Sequence, residues 1–242
     1  ILDTIDRGHG EGRAFMPPEA AMARLQEAAR ELGRERAGVD SWQLNEGQLA
    51  AGVAILSGQD RFLNVQGVAG AGKSTLLGAL DKVLDAEGVK LVGLAFQNKM
   101  VADLRGFGSG GGGQGMSADQ MREAGIEAYT IARFLNTYGS AAATGSGERF
   151  DTAKAALANT VIITDESSMV SSRDMLRLTT LAQQLDLAKA PFMGDRQQLS
   201  AIEQGKMFAV SQASGQATVR MDENIRQKNS PLLLAVAGLS NE

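Results

Sequence analysis

The sequence that determines the fold is FLNVQGVAGAGKST, at residues 62–75. The apolar start at residues 62–66 predicts a strand, the glycines after it predict a turn, and the residues from about Ser74 to Asp85 predict a helix. Residues 67–75 fit the pattern G-x-x-x-x-G-K-[ST]. In a strand-turn-helix context, that pattern is typical of a loop that binds phosphate groups.

The chemistry of such a loop explains its spacing. Glycines let the backbone curl until successive N–H groups converge on phosphate oxygens, and the helix that follows adds its positive amino-terminal end. We expect Lys73 to reach the β- and γ-phosphates and act in catalysis, and the Ser74 hydroxyl to bind Mg²⁺. A structural corner without ligand is the alternative. The predicted nucleotide contacts in this loop are Gly67, Ala69, Gly70, Ala71, Gly72, Lys73, Ser74 and Thr75.

An acidic pair follows a second apolar strand. Residues 160–164 are β-branched and apolar, as expected of a strand covered on both faces, and Asp165 and Glu166 come directly after them. We expect Asp165 to bind Mg²⁺, directly or through water, and Glu166 to orient and deprotonate the attacking water. A solvated turn is the alternative interpretation of these two acids.

Further strands alternate with helical segments. Residues 89–95 and 191–193 predict strands, and Val210, Val219 and Met221 indicate a last one. Strands separated by helices predict an α/β fold with a parallel sheet wrapped by helices.

The chain is divided into two regions by composition. Residues 1–45 predict a helical extension, in which Met22, Leu25, Ala29 and Leu32 share one helical face and dock on the main domain. Residues 46–242 form the main domain. Two glycine-rich stretches, 106–117 and 139–150, predict flexible loops because they lack side chains that build a core.

Composition excludes several classes of site. The chain has no cysteine, which excludes disulfides. It has a single histidine, His9, which argues strongly against a histidine metal cluster and against a Ser-His-Asp triad. The net charge of -4 excludes a broad basic surface, so nucleic acid would bind in a local groove. No apolar run is long enough to span a bilayer. We expect the chain to be a fragment of a longer polypeptide.

Three later segments narrow the class. Residues 165–170 (DESSMV), 194–199 (GDRQQL) and 223–227 (ENIRQ) occur in this order after the phosphate loop. The series resembles superfamily 1 DNA helicases of the RecD-like branch, and most closely the helicase region of TraI-type conjugative relaxases, over residues 42–238. The resemblance implies the first motor domain of such an enzyme, with a RecA-like P-loop NTPase fold.

The resemblance also implies residue roles. Gln48 matches the glutamine that reads adenine, although a helix-capping role is its alternative. Gln198 matches the glutamine that senses the γ-phosphate, with Asp195 supporting its loop, and Arg226 matches an arginine on the γ-phosphate. Gln198 and Arg226 are predicted catalytic residues.

Two segments resemble DNA-contacting motifs. Gln97 and Asn98 lie in the first, where this chain departs from the family by having Phe96 and Gln97 in place of a Thr or Pro followed by small polar residues. Thr130 begins the helix of the second and matches a phosphate donor. Phe134 either stacks on a base or, as its helical spacing with Ile131 favours, belongs to the core.

The function implied is that of an ATP- and Mg²⁺-dependent motor acting on single-stranded DNA in the bacterial cytoplasm. Its partners would be a second motor domain, which supplies an arginine finger, and a relaxase nuclease domain of the same polypeptide. The alternatives are a helicase-like module that binds single-stranded DNA without catalysis and a P-loop kinase or unrelated ATPase.

Overall fold

The computed structural model describes residues 2–67, 72–95, 127–194, 206–214 and 216–221. In these ranges, six parallel strands form one sheet in the order β3-β2-β4-β5-β1-β6. The predicted α/β fold is thereby confirmed. The strands are β1 (Asn64–Gln66), β2 (Lys90–Ala95), β3 (Glu127–Thr130), β4 (Thr160–Thr164), β5 (Phe192–Gly194) and β6 (Thr218–Arg220).

Helices cover both faces of the sheet. They are α1 (Leu2–Asp6), α2 (Pro18–Ala37), α3 (Glu46–Ser57), α4 (Lys73–Ala86), α5 (Ile131–Thr144), α6 (Glu148–Ala156), α7 (Ser172–Gln184) and α8 (Lys206–Ala213), with a short 3-10 helix at Ser167–Met169. Among the described residues, none of these helices combines the length and apolar character that a membrane crossing requires.

The strands are apolar on both sides because each face of the sheet carries its own core. Along β4, Val161 and Ile163 face a cluster with helices α2, α3 and α4, whereas Ile162 faces a second cluster with α5 and α7. All five residues of β4 are buried. This double covering explains why the strand is a continuous apolar run rather than an alternation of apolar and polar residues.

Helix α2 docks on the sheet domain as its apolar face predicts. Leu25, Ala29 and Leu32 are buried in the same cluster as α3 and α4, and Met22 is partly buried against it. Burying a leucine side chain contributes about 1.5–3 kcal/mol, so this face holds α2 firmly. Helix α2 therefore shares one core with the sheet domain. The division between residues 1–45 and 46–242 stays a prediction.

The structure corrects two expectations drawn from the sequence and adds one strand. The flexible loop expected at residues 139–150 is wrong: α5 continues to Thr144 and α6 begins at Glu148. Ala141 and Ala142 are buried in the core with α7, which stabilises helix where composition suggested a loop. Val210 lies in helix α8 rather than in a strand. Strand β3 was not predicted, and residues 106–117 lie outside the described ranges.

Candidate nucleotide site

The candidate site segments leave the sheet along one edge. Because all six strands are parallel, their carboxyl ends lie on the same side. The phosphate loop follows β1, the pair Asp165-Glu166 follows β4, and residues 195–200 follow β5. Ligands of open α/β sheets bind at this edge, so the topology places the predicted phosphate and metal groups together.

The described ends of the phosphate loop are held by backbone contacts. The Gly67 N–H donates to the Gly194 carbonyl at 3.0 Å, which ties the start of the loop to β5. At the other end, Gly72 is the N-cap of α4 in the left-handed conformation, with φ 71°. Its carbonyl accepts from the N–H groups of Thr75 (3.1 Å) and Leu76 (3.2 Å). The predicted contacts of Ala69, Gly70 and Ala71 lie outside the described residues.

Lys73 and Glu166 are brought together at this edge. Lys73 is the first residue of α4, and its Nζ lies 3.8 Å from Glu166 Oε1. Their side chains are only 13% and 23% exposed, so the pair lies in a sheltered position. Ser74 follows Lys73 in the first turn of the same helix. The structure thus places the phosphate-loop lysine beside the acid predicted to act on water.

A strained backbone positions Glu166. Glu166 has φ 49° and ψ 40°, a left-handed conformation that non-glycine residues adopt rarely. Its N–H donates to Asp165 Oδ1 at 2.8 Å, and the Ser167 hydroxyl donates to the Thr164 carbonyl at 2.7 Å. These two bonds hold the sharp turn that carries the Glu166 side chain toward Lys73. Strain of this kind costs about 1–3 kcal/mol and is concentrated at functional sites.

Asp165 has the environment of a metal-binding carboxylate. Its N–H donates to the Leu94 carbonyl at 2.8 Å, which fixes its backbone beside β2. Burial raises the pKa of Asp165 above its ordinary value, and the Lys73 ammonium and the Glu166 N–H oppose this rise. Carboxylate oxygens are ligands of the kind that Mg²⁺ prefers. The Asp165 carboxylate therefore fits the predicted magnesium site, and the role of Ser74 in it stays a prediction.

Gln48 bonds within the protein through both ends of its amide. Its Oε1 accepts from the Asn45 N–H at 2.8 Å, and the Gln48 N–H donates to Asn45 Oδ1 at 2.9 Å, which forms a capping box at the start of α3. Its Nε2 donates to the Gly72 carbonyl at 2.9 Å. The capping alternative is therefore present in the structure, and the amide also touches the phosphate loop. Its adenine-reading role stays a prediction.

Thr130 lies where β3 ends and α5 begins. It is the N-cap of α5, and its Oγ1 accepts from the Arg133 N–H at 3.2 Å. The hydroxyl proton is still available to a phosphate, so the predicted DNA contact stays a prediction. Phe134 is 2% exposed and packs in the core, which confirms the core interpretation.

Other predicted site residues lie outside the described ranges. Gln97 and Asn98 follow β2, Asp195 and Gln198 follow β5, and Arg226 follows β6. Each of these strands ends at the edge already occupied by Lys73 and Glu166. Their roles stay predictions.

Two contacts of the site were not predicted from the sequence. Asn45 completes the capping box, and the spacing N-x-x-Q is a signal that could have revealed it. Gly194 lies so close to the turn after β4 that an added Cβ would be 3.1 Å from the Ser168 nitrogen. No local pattern signals that approach, because it joins two strands that are distant in the chain.

Comparison with known proteins shows the family to which the chain belongs. A family model described as "AAA domain" matches residues 43–242. The multifunctional conjugation protein TraI of Escherichia coli strain K12 is 31% identical over 98% of this chain, and a second E. coli TraI is 33% identical over 82%. A conjugal transfer protein TraA of Rhizobium radiobacter is 28% identical over 85%.

The chain spans only 13% and 10% of the two TraI proteins and 18% of that TraA protein. A solved Pif1 helicase from Candida albicans is 21% identical, with a TM-score of 0.46 over 78% of this chain and 42% of that one. The resemblance to the TraI type is confirmed by the matches along the sequence. Since the family model covers more than half of its residues, the chain belongs to the AAA domain family.

Proposed function

We propose that this chain is the ATP-hydrolysing first motor domain of a DNA helicase or translocase that acts on single-stranded DNA. The observation that carries the proposal is the approach of Lys73 to Glu166, 3.8 Å apart, with Asp165 beside them at the same sheet edge. A phosphate-binding lysine, a metal-binding carboxylate and a base for water are the parts that nucleotide hydrolysis needs.

In this proposal each residue has one task. Lys73 binds the β- and γ-phosphates, Ser74 and Asp165 hold Mg²⁺, and Glu166 orients and deprotonates the attacking water. Bound Mg²⁺ would neutralise charge on the phosphates. Gln198 senses the γ-phosphate, Arg226 contacts it, and Gln48 reads the adenine.

The larger setting is also part of the proposal. The TraI and TraA relatives are named for conjugation and are several times longer than this chain. We therefore place the domain in a bacterial cytoplasmic relaxase-helicase for plasmid transfer, next to a second motor domain and a relaxase nuclease domain. DNA would contact Gln97, Asn98 and Thr130.

Steady-state ATP hydrolysis by the intact protein, with and without single-stranded DNA, tests the proposal. We expect turnover that DNA stimulates, and the variant Lys73→Ala should lose at least about 100-fold in kcat because its ammonium no longer stabilises the charge on the phosphates. Lys82→Ala, on the same helix but paired with Glu31 and Glu35, is the matched control and should keep full activity.

Wild-type turnover by Lys73→Ala would refute the assignment of the phosphate loop. Tight DNA binding by a protein without turnover would instead support the alternative, a module that binds DNA without catalysis. That alternative is the less favoured one, because Lys73, Asp165 and Glu166 are all present and lie together.

A further inference from the structure

A series of hydrogen bonds joins helix α2 to the phosphate loop, and it begins at Gln26. The Gln26 Nε2 donates to the Leu44 carbonyl, and its Oε1 accepts from the Leu44 N–H, each at 3.0 Å. One side chain therefore satisfies both backbone groups of Leu44, a residue that is 3% exposed. Because buried backbone groups need partners, this amide determines where the chain passes before α3 begins.

The series continues through the next residues. Asn45 follows Leu44 directly and forms the capping box with Gln48. The Gln48 Nε2 then bonds to the Gly72 carbonyl at 2.9 Å, at the N-cap of α4. An added Cβ on Gly72 would lie 2.2 Å from this Nε2, so a side chain at this position would displace the Gln48 amide from its contact.

Packing keeps the two ends of the series in place. Helices α2, α3 and α4 meet at Gly52, where an added Cβ would lie 2.6 Å from Leu25 Cδ1 and 3.1 Å from Leu76 Cδ1. Leu25 precedes Gln26, and Leu76 lies one turn into α4. Since well-packed interiors transmit displacement instead of absorbing it, Gln26 is held at a constant position relative to the phosphate loop.

We propose that Gln26 is a positioning residue for nucleotide binding, which it supports through Leu44, Gln48 and Gly72 without touching the ligand. The proposal rests on the proposed function of the same site. It makes the helical extension part of the nucleotide site. Loss of the Gln26 amide frees the chain at Leu44, and the Gln48 amide then no longer holds Gly72 in the conformation that starts α4.

The test measures the affinities of the intact protein for ADP, GDP and inorganic tripolyphosphate, each with Mg²⁺, by calorimetry. Gln26→Leu removes both hydrogen bonds at similar volume and should weaken ADP and tripolyphosphate about 3–10-fold. Gln26→Glu keeps the acceptor for the Leu44 N–H but puts a carboxylate oxygen in place of the donor to the Leu44 carbonyl. Because two acceptors repel each other, it should weaken binding at least as much as Gln26→Leu. Arg30→Ala, one turn along α2 and paired with Glu27, is the control and should bind as the unchanged protein does.

A double-mutant cycle with Gln48→Ala distinguishes positioning from general destabilisation. If Gln26 acts through Gln48, adding Gln26→Leu to Gln48→Ala should weaken ADP binding by less than twofold, because residues in one network are not additive. The preference for ADP over GDP should fall in both single variants. Circular dichroism and thermal unfolding of each variant check that it is folded.

Two results would overturn the proposal. One is Gln26→Leu binding all three ligands as tightly as the unchanged protein, and the other is full additivity with Gln48→Ala. The unchanged protein is measured before any variant. If it binds neither ADP nor tripolyphosphate, the proposed function itself is refuted, and the role of Gln26 with it.

Discussion

Lys73 Nζ lies 3.8 Å from Glu166 Oε1, although the strands that lead to these residues, β1 and β4, are separated in the sheet by β5. Both side chains are sheltered from solvent, so the ammonium and the carboxylate stabilise each other. When nucleotide binds, the Lys73 ammonium would pair with phosphate oxygens instead of with Glu166. The Glu166 carboxylate would then be able to act on water.

Because Glu166 pairs with Lys73, the variant Glu166→Gln should change kcat and the affinity for ATP differently. The amide cannot accept a proton from water, so kcat should fall at least about 100-fold. It also pairs less strongly with Lys73, so the affinity for ATP should stay the same or rise a few-fold. Single-turnover hydrolysis and equilibrium binding of a fluorescent ATP analogue measure the two effects. A variant with lower affinity and unchanged kcat would contradict the role given to Glu166.

Gly72→Ala should be more damaging than the same change at a glycine with free space. Both Gly72 and Gly88 have positive φ, 71° and 67°, but only at Gly72 would a Cβ meet another group, the Gln48 amide at 2.2 Å. Gly88→Ala should cost only the conformational term, about 1–2 kcal/mol. Gly72→Ala should cost more and also weaken nucleotide binding about tenfold or more. Denaturant unfolding and nucleotide titration of both variants check this, and equal losses would argue against the Gln48 contact.

Thr130→Asp separates the helix cap from the predicted DNA contact. Aspartate is as good an N-cap as threonine, so stability should change by less than about 0.5 kcal/mol. Its negative charge repels a DNA phosphate, so affinity for a fluorescent oligo-dT should fall about tenfold or more. Fluorescence anisotropy at one salt concentration measures this. Ser146→Asp adds the same charge in the exposed turn after α5 and should leave DNA affinity unchanged. Unaltered binding by Thr130→Asp would remove Thr130 from the DNA interface.

Asp81 predicts a pH dependence of stability. Burial, followed by the neighbouring Asp85 carboxylate, raises its pKa from 3.8 to about 6, and Lys82 opposes this. Because the folded state holds this proton more tightly than the unfolded state, the stabilisation is present below pH 3.8 and is lost as the pH rises through 6. Asp81→Asn should therefore be more stable than the unchanged protein at pH 8, by about 1–3 kcal/mol, and similar to it near pH 4.

Urea unfolding at both pH values measures the Asp81 effect. Asp85→Asn, one turn further along α4 and exposed, is the comparison variant. It removes only the smaller of the two causes, so it should give a smaller gain than Asp81→Asn at pH 8 and little change near pH 4. A gain for Asp81→Asn that is the same at pH 4 and pH 8 would show that the carboxylate charge is not its cause.

Local sequence patterns were enough to predict two elements that carry candidate site residues. The glycine spacing before Lys73 and the β-branched run at Thr160–Thr164 predicted a helix and a strand, and the structure has helix α4 and strand β4 at nearly the same bounds. The apolar face of α2 was predicted in the same way. These features depend on steric preferences and on hydrophobic periodicity, which act over a few residues and can be read from the chain.

Only the tertiary structure decided which of these elements meet. It placed β5 between β1 and β4, brought Lys73 to Glu166, and joined Gln26 to Gly72 through Gln48. It also kept residues 139–144 helical, because burial of Ala141 and Ala142 outweighs a composition typical of loops. Strand order and side-chain contacts of this kind arise from packing between residues far apart in the chain, and local sequence patterns carry no record of that packing.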